Sequence, residues 1–287
     1  MLSIVVPVHN EAEALPEFLP ELLSVAASLD PCEVILVDDG STDGSLSDFT
    51  PPPRCRVLHH RRRRGYGAAV RSVVAAAKGD CIAILDAELT YHPADLVPLW
   101  EARAEADMLV GARPAATDSA ARGLAKTCLR LLAQYLSGEK IDDLNSGLRL
   151  MRASVLRSFA HLLPSGFSLT TTVTLAFLCN GYDVAYRPIQ YRPRVGKSKI
   201  AAGRDPGRFL MLIVRTILLF NPLKILGPLS LVLFALAAAV LIISKFVLHT
   251  QIPDITVSVL VLLSVQTLLL GLLADLLARR TRIDPPA

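Results

Sequence analysis

Two short acidic runs carry the side chains best suited to chemistry. Val37-Asp38-Asp39-Gly40-Ser41-Thr42-Asp43-Gly44 and Leu85-Asp86-Ala87-Glu88 each follow a stretch that reads as a strand. In a parallel α/β sheet the carboxyl ends of the strands form the ligand crevice, so both runs are expected to point into one cleft. Asp86 and Glu88 are spaced to reach a single divalent cation, and carboxylates plus substrate phosphates are the usual way Mg²⁺ or Mn²⁺ is held. The first run has a second reading. Asp, Ser, Thr and Gly are also turn and N-cap residues, so capping and function are both open for Asp38, Asp39 and Asp43.

Gly65-Tyr66-Gly67-Ala68-Ala69-Val70 departs from a dinucleotide fingerprint. Val70 stands where the third glycine belongs, and four arginines rather than a buried strand precede it. Glycines opening a helix still let a nucleotide or phosphate approach backbone N–H groups. The block Arg61–Arg64 beside His59 and His60 lacks the interleaved aromatics of a nucleic-acid surface, which leaves a solvated or phosphate-facing loop and no nucleic-acid partner. No Ser/His/Asp or Cys/His triad is evident, which counts against a hydrolase.

These residues must be positioned by alternating strands and helices. Strands are expected over Leu2–Val8, Glu33–Val37, Arg56–His59, Cys81–Leu85, Asp107–Gly111 and Asp183–Tyr186. Between them Leu15, Phe18, Leu22 and Val25 recur at helical spacing, as do Val70, Val73, Val74 and Ala77, and both stripes should face a core. The pattern is that of βαβ units and a mostly parallel sheet. Ala112–Ala121 is small and polar and reads as a loop over the bound ligand.

Composition separates this domain from the rest. Of 287 residues 52% are hydrophobic and 20% charged, and the mean hydropathy is +0.44. The excess is concentrated: residues 225–244 and 255–274 contain no charged side chain. Each run is long enough to cross a hydrocarbon core about 30 Å thick. A disordered chain and a disulfide-rich mini-protein are excluded. The division expected is a cytoplasmic catalytic domain over 1–203, an amphipathic interfacial helix over 204–222, two spans within 223–277, and a basic tail over 278–287. Arg279, Arg280 and Arg282 follow the second span and basic residues precede the first, so both ends are expected in the cytoplasm, although Lys245 falls on the far side. Five scattered cysteines fit reduced thiols, and the N-terminus shows no signal peptide. Gly227, Pro228 and Gly271 leave close helix packing and a homo-oligomer open.

Taken in order, Ile4-Val-Val-Pro-Val-His-Asn-Glu11, Val37–Asp43, Arg64-Gly-Tyr-Gly-Ala-Ala-Val-Arg71, Leu85–Glu88, Asn145-Ser-Gly-Leu-Arg149 and Arg194-Val-Gly-Lys-Ser-Lys199 resemble the motifs of family 2 glycosyltransferases. They are most similar to the dolichol-phosphate mannose synthase branch, which includes polyprenyl-phosphate glycosyltransferases with two C-terminal spans. The resemblance covers about residues 2–200 and implies a GT-A fold and a membrane-bound, inverting enzyme. Such an enzyme moves one sugar from a UDP- or GDP-hexose to a polyprenyl or dolichyl phosphate. It implies nucleotide-sugar contacts at Pro7, Val8, Glu11, Asp39, Gly67, Ala68 and Asp86, and a cation, Mg²⁺ or Mn²⁺, on Asp86 and Glu88. It places Arg113, Arg122, Thr127, Arg149 and Lys199 at the acceptor phosphate, and Arg194 with Asp86 and Glu88 among the catalytic residues. Glu88 replaces the family's usual second Asp, Thr90 a frequent Gln, and Arg63-Arg64-Gly65-Tyr66-Gly67 an Asn-x-Gly-Lys-Gly run.

The chemistry needs no strong base. A phosphomonoester is largely ionised near pH 7, since its second pKa is about 6, and its oxygen can attack the anomeric carbon directly. The site must stabilise the departing diphosphate and align two anions, work for a cation and for arginines. Two alternatives compete. A processive synthase would carry Gln-x-x-Arg-Trp, whereas the single tryptophan here, Trp100, lies in Pro-Leu-Trp-Glu-Ala-Arg. The other is a catalytically silent membrane scaffold or flippase partner that keeps the fold.

Overall fold

The segment Leu2–Val8 shows no polar–apolar alternation, as expected of a strand covered on both faces, and it forms β1 with six of its seven residues buried. The computed structural model describes residues 1–114, 120–166, 168–192, 206–247 and 254–280. After β1 come α1 (Leu15–Ser28), β2 (Cys32–Asp38), β3 (Cys55–His59), α2 (Tyr66–Val74), β4 (Cys81–Ile84), α3 (Leu96–Glu101) and β5 (Met108–Ala112). Then follow α4 (Ala120–Ser137), β6 (Arg149–Arg152), α5 (Ala153–Ser158), α6 (Leu169–Cys179), β7 (Val184–Pro188), α7 (Pro206–Phe220), α8 (Leu223–Ile242) and α9 (Asp254–Arg280).

The strands build one mixed sheet in the order β3-β2-β1-β4-β6-β5-β7. All neighbours are parallel except β6, which runs antiparallel to both β4 and β5. The six expected strands are present within a residue or two of their expected ends; β6 was not expected. Register brings the acidic runs together. Val8 pairs with Asp38, so β1 and β2 end level. Ile84 pairs with Val5, so the chain leaving β4 continues beside the end of β1 and carries Asp86 to the same edge.

Both helical stripes face the sheet. Leu15, Phe18 and Leu22 of α1 and Val70, Val73 and Val74 of α2 are buried, with Ala77 just beyond. Each fully buried large side chain contributes roughly 1.5–3 kcal/mol of transfer free energy, so the stripes fix how the helices lie on the sheet. Of the expected loop Ala112–Ala121, residues 115–119 lie outside the described residues.

The chain divides into two compact units, one ending at Pro206 and the other beginning at Gly207. In the second, Leu223–Phe246 and Asp254–Arg279 are long and apolar enough to cross a membrane. Ser230 meets Ser264 while Gly271 meets Leu226, so α8 and α9 run antiparallel. The two serines bond reciprocally: each hydroxyl donates to the other's carbonyl, at 2.9 Å from Ser230 and 3.0 Å from Ser264. Large apolar side chains such as Leu231, Val232, Leu262 and Leu269 face outward around this pair, a surface compatible with lipid.

Candidate active site

The turns after β1 and β2 are laced together by the side chains of the first acidic run. Thr42 N–H donates to Asn10 Oδ1 (2.8 Å), Asn10 N–H to Ser41 Oγ (3.1 Å), Glu11 N–H to Ser45 Oγ (2.8 Å) and Ala12 N–H to Asp43 Oδ2 (3.0 Å). Asp38 accepts from Ser41 N–H at 2.9 Å and contacts His59 Nδ1 at 3.1 Å. Burial alone would raise the Asp38 pKa, but the Ser41 and His59 hydrogen bonds outweigh it and hold the carboxyl below its ordinary range. Asp43 is held low in the same way, its bonds to Ser45 and Ala12 overcoming burial. Capping therefore accounts for Asp38 and Asp43.

Asp39 does something else. It is 4% exposed, lines a cavity of about 160 Å³ at the carboxyl edge of the sheet, and accepts Arg64 N–H on Oδ1 (2.8 Å) and Gly65 N–H on Oδ2 (2.7 Å). His60 Nδ1 adds a contact to Oδ1 at 2.7 Å. Asp39 thus folds the arginine-rich loop over the cavity, and Arg63 joins its lining.

Asp86, Ala87 and Glu88 line the same cavity. A Cβ on Gly147 would stand 2.1 Å from Asp86 Oδ2, so the carboxylate lies where any side chain at 147 would go. Tyr66 also bonds Asp86: burial first, then the Asp86 charge and hydrogen bond, push its hydroxyl well above the ordinary tyrosine range and keep it a proton donor. Gly147 N–H is held by Tyr91 Oη at 2.8 Å. Among the described residues no group of three or more His, Cys, Asp or Glu is placed to hold a metal ion. Two carboxylates on one wall with the Asn145 amide beside them are hard oxygen donors, a set that suits Mg²⁺ or Mn²⁺ completed by substrate phosphates and not a self-sufficient protein cage. Thr90 Oγ1 lies 3.4 Å from Glu88 Oε1.

Of the residues expected at the nucleotide-sugar, Pro7, Val8, Glu11, Asp39 and Asp86 line the cavity, as does Glu88. Gly67 and Ala68 do not. A Cβ at Gly67 would fall 2.0 Å from Pro164 O, and Ala68 N–H donates to Ser165 O at 3.2 Å. The glycines thus admit the chain's own segment 164–166, held in turn by Arg71, whose Nη1 donates to Leu163 O at 3.0 Å. Tyr66 and Ala69, on either side, reach the cavity instead.

The acceptor-side residues separate. Arg149 cannot meet a lipid phosphate: it is 1% exposed and donates to Ser146 O (2.8 Å), Leu144 O (2.8 Å) and Thr174 Oγ1 (2.7 Å). Its guanidinium shapes the turn that presents Asn145 and Gly147. Arg113 is paired bidentately with Asp143, Nε to Oδ2 at 2.7 Å and Nη2 to Oδ1 at 2.9 Å, and its guanidinium lies 5.6 Å from the Tyr191 ring centre. Asp143 sits below the ordinary carboxylate range because the Arg113 pair outweighs its burial. Thr127 is exposed on α4, away from the cavity lining. The Arg122 side chain and residues Arg194 and Lys199 lie outside the described residues. Sequence reading gave no individual role to His9, Tyr66, Asn145, Gly147 or Thr170 and took Arg63 only as part of a solvated or phosphate-facing loop; His9, Asn145 and Gly147 stood inside quoted motifs, and Tyr66 between two glycines that drew the attention.

With the geometry in place, comparison with known proteins is decisive. The model of "Glycosyl transferase family 2" matches residues 3–159. This chain belongs to that family. A second model, "GtrB C-terminal hairpin", matches residues 221–279. Undecaprenyl-phosphate 4-deoxy-4-formamido-L-arabinose transferase of Pectobacterium carotovorum subsp. carotovorum (strain PC1) is 31% identical over 167 residues, 56% of this family 2 chain and 51% of that protein. The chain therefore spans about half the length of such relatives. Dodecaprenyl-phosphate galacturonate synthase of Rhizobium johnstonii is 29% identical over 97% of this chain and 88% of its own. Glucosyl-3-phosphoglycerate synthase of Mycobacterium tuberculosis, solved with Mn²⁺, UDP and glucosyl-3-phosphoglycerate, superposes with a TM-score of 0.57 at 20% identity, covering 76% of this chain and 78% of that one. That likeness supports the GT-A fold for the family 2 domain.

Proposed function

We propose that this chain transfers a single sugar from a nucleotide-sugar to a polyprenyl phosphate, with inversion at the anomeric carbon. The observation that carries the reading is convergence: Asp39, Asp86 and Glu88, from turns after β2 and β4, line one cavity in a chain that also carries an apolar hairpin. A relative matched along 97% of this chain is named as a dodecaprenyl-phosphate galacturonate synthase, and one matched over 56% of it as an undecaprenyl-phosphate sugar transferase.

Pro7, Val8, Glu11 and Asp39 receive the nucleoside. Asp86 and Glu88 hold Mg²⁺ or Mn²⁺, which when bound supplies positive charge against the departing diphosphate. Tyr66 and Gly147 keep Asp86 aimed at that position, and Arg63 adds a cation to the loop side. The acceptor phosphate is already anionic and attacks without a general base. Arg194 and Lys199 meet that phosphate at the bilayer surface, in a basic connector preceding α7, and Arg122 and Thr127 lie on the acceptor side. Residues 1–203 form the cytoplasmic catalytic domain, 204–222 an interfacial helix, 223–277 two spans and 278–287 a basic tail, which makes the protein multi-pass in the cell membrane with both ends in the cytoplasm.

Membranes containing the protein, supplied with Mg²⁺ or Mn²⁺, polyprenyl phosphate and a panel of nucleotide-sugars, should form a lipid-linked monosaccharide with at least one donor. Asp86→Ala should reduce the rate at least about a hundredfold, the scale set by loss of charge stabilisation at a leaving group. No product with any donor overturns the assignment and leaves a silent scaffold.

A further inference from the structure

The surroundings of Asp39 restrict which base the donor can carry. An ionised carboxylate offers about four acceptor positions, two on each oxygen. Three are filled by the described residues: Oδ1 takes His60 Nδ1 and Arg64 N–H, and Oδ2 takes Gly65 N–H. The His60 and Asp39 side chains are 8% and 5% exposed. Because an ionised carboxylate only accepts, Nδ1 must carry a proton. On its other side His60 Nε2 lies 3.0 Å from Ser72 Oγ, whose single hydrogen has two acceptors within reach, Nε2 and Ala68 O of α2 at 2.9 Å. The chain Asp39–His60–Ser72 thus pins Oδ1 from the helix side and leaves one acceptor position, on Oδ2, for anything in the cavity that Asp39 lines.

We propose that His60 is a positioning residue that sets base selectivity: by filling Oδ1 it leaves Asp39 able to accept one hydrogen only, so the site takes uracil and rejects guanine. This rests on the nucleotide-sugar reading above, in which Asp39 receives the nucleoside, and assigns that contact to the base. Uracil presents a single ring N–H between two carbonyls. Guanine presents a ring N–H and an adjacent amino group, which together need an acceptor on each oxygen. The neighbours of Asp39 on this wall, Arg64 N–H, Gly65 N–H and His60 Nδ1–H, are all donors. Once Oδ2 has taken one hydrogen, the surplus hydrogen of an amino group finds no acceptor on Asp39, which extends the preference to uracil over cytosine and adenine. A buried donor left without a partner weakens binding roughly ten- to a hundredfold.

The test is direct titration of the purified full-length protein in detergent with UDP, GDP, CDP and ADP at fixed Mn²⁺. The wild type should bind UDP at least tenfold more tightly than each of the others. His60→Ala frees a position on Oδ1 and should shrink the UDP-to-GDP ratio several-fold. His60→Asn, which can still present an N–H to Asp39, should keep the ratio near the wild-type value, and a thermal melt of each variant reports folding separately. An unchanged ratio in a folded His60→Ala, or equal or tighter GDP binding by the wild type, overturns the proposal while leaving the nucleotide reading intact. If His60→Ala fails to fold, a folded His60→Asn that loses the preference overturns it as well. Binding of none of the four by the wild type sinks the nucleotide reading itself.

Discussion

Gly147 and Asp86 share one small volume, and that makes a backbone position part of the acidic site. A methyl group at 147 would displace the Asp86 carboxylate, since its place is 2.1 Å from Oδ2 and 2.7 Å from the carboxyl carbon. Gly147→Ala should leave the sheet intact yet cut sugar transfer by more than about tenfold, as a misplacement near 1 Å can cost a hundredfold. Circular dichroism alongside the transfer assay checks both halves. Asp143 gives a second handle at this scale. Its folded pKa lies below the ordinary 3.8 because Arg113 outweighs burial. A depressed carboxylate contributes stability that is complete above the unfolded value and lost as pH falls through the folded one. The wild type should therefore lose thermal stability as pH drops below about 4, and Asp143→Asn should lower the melting temperature at neutral pH while flattening that acid limb.

At the level of elements, what local pattern encodes was readable and what distant contacts decide was not. Four of the six expected strands, β1, β2, β4 and β5, are runs of mostly buried apolar residues, and α1 and α2 announce themselves by spacing. β6 escaped because Arg149-Leu150-Met151-Arg152 is four residues flanked by charges, and its antiparallel insertion between β4 and β5 belongs to no βαβ unit. Asp39, Asp86 and Glu88 were legible because a carboxylate just past a buried strand has few places to go. Arg149 was misjudged, since nothing near it in sequence shows that Thr174, 25 residues on, will take its guanidinium. Gly67 misled for a similar reason: its neighbour Pro164 lies nearly a hundred residues away, and a glycine-rich helix start looks the same whether it receives a phosphate or a stretch of its own chain. In the hairpin, Ser230 and Ser264 form a buried reciprocal pair between α8 and α9. Interhelical bonds of this kind are worth about 0.6 kcal/mol each in membranes. Ser230→Ala and Ser264→Ala should each weaken the hairpin by about 0.5–1 kcal/mol in a thermal melt in detergent, and the double variant by less than the sum, because the two residues share one network.

For the whole molecule, the apolar excess of the composition resides in a hairpin whose outward face is lipid-compatible, and the polar chemistry resides in the other unit. Membrane residence would match the proposed acceptor, which is itself a lipid. In the proposed reaction Arg194 serves the acceptor and not the donor, so Arg194→Ala should raise the KM for polyprenyl phosphate several-fold while the donor KM stays within twofold. Equal effects on both substrates would show the basic connector to be an anchor alone.

The capped start of α2 carries a last consequence. The first turn of a helix holds about half a positive charge that an anion could share, but here Ser165 O takes the Ala68 N–H and the carbonyls of Pro164 and Gly166 crowd Gly67. Three carbonyl oxygens of the chain's own backbone thus occupy that end, one of them hydrogen-bonded to it. In the proposed reaction a diphosphate in the neighbouring cavity would find its countercharge in Arg63 and in a dissociable cation. Under that reading release of the spent nucleotide would be tied to departure of the cation, and the concentration of free divalent ion would be a control on turnover and not merely a requirement for it.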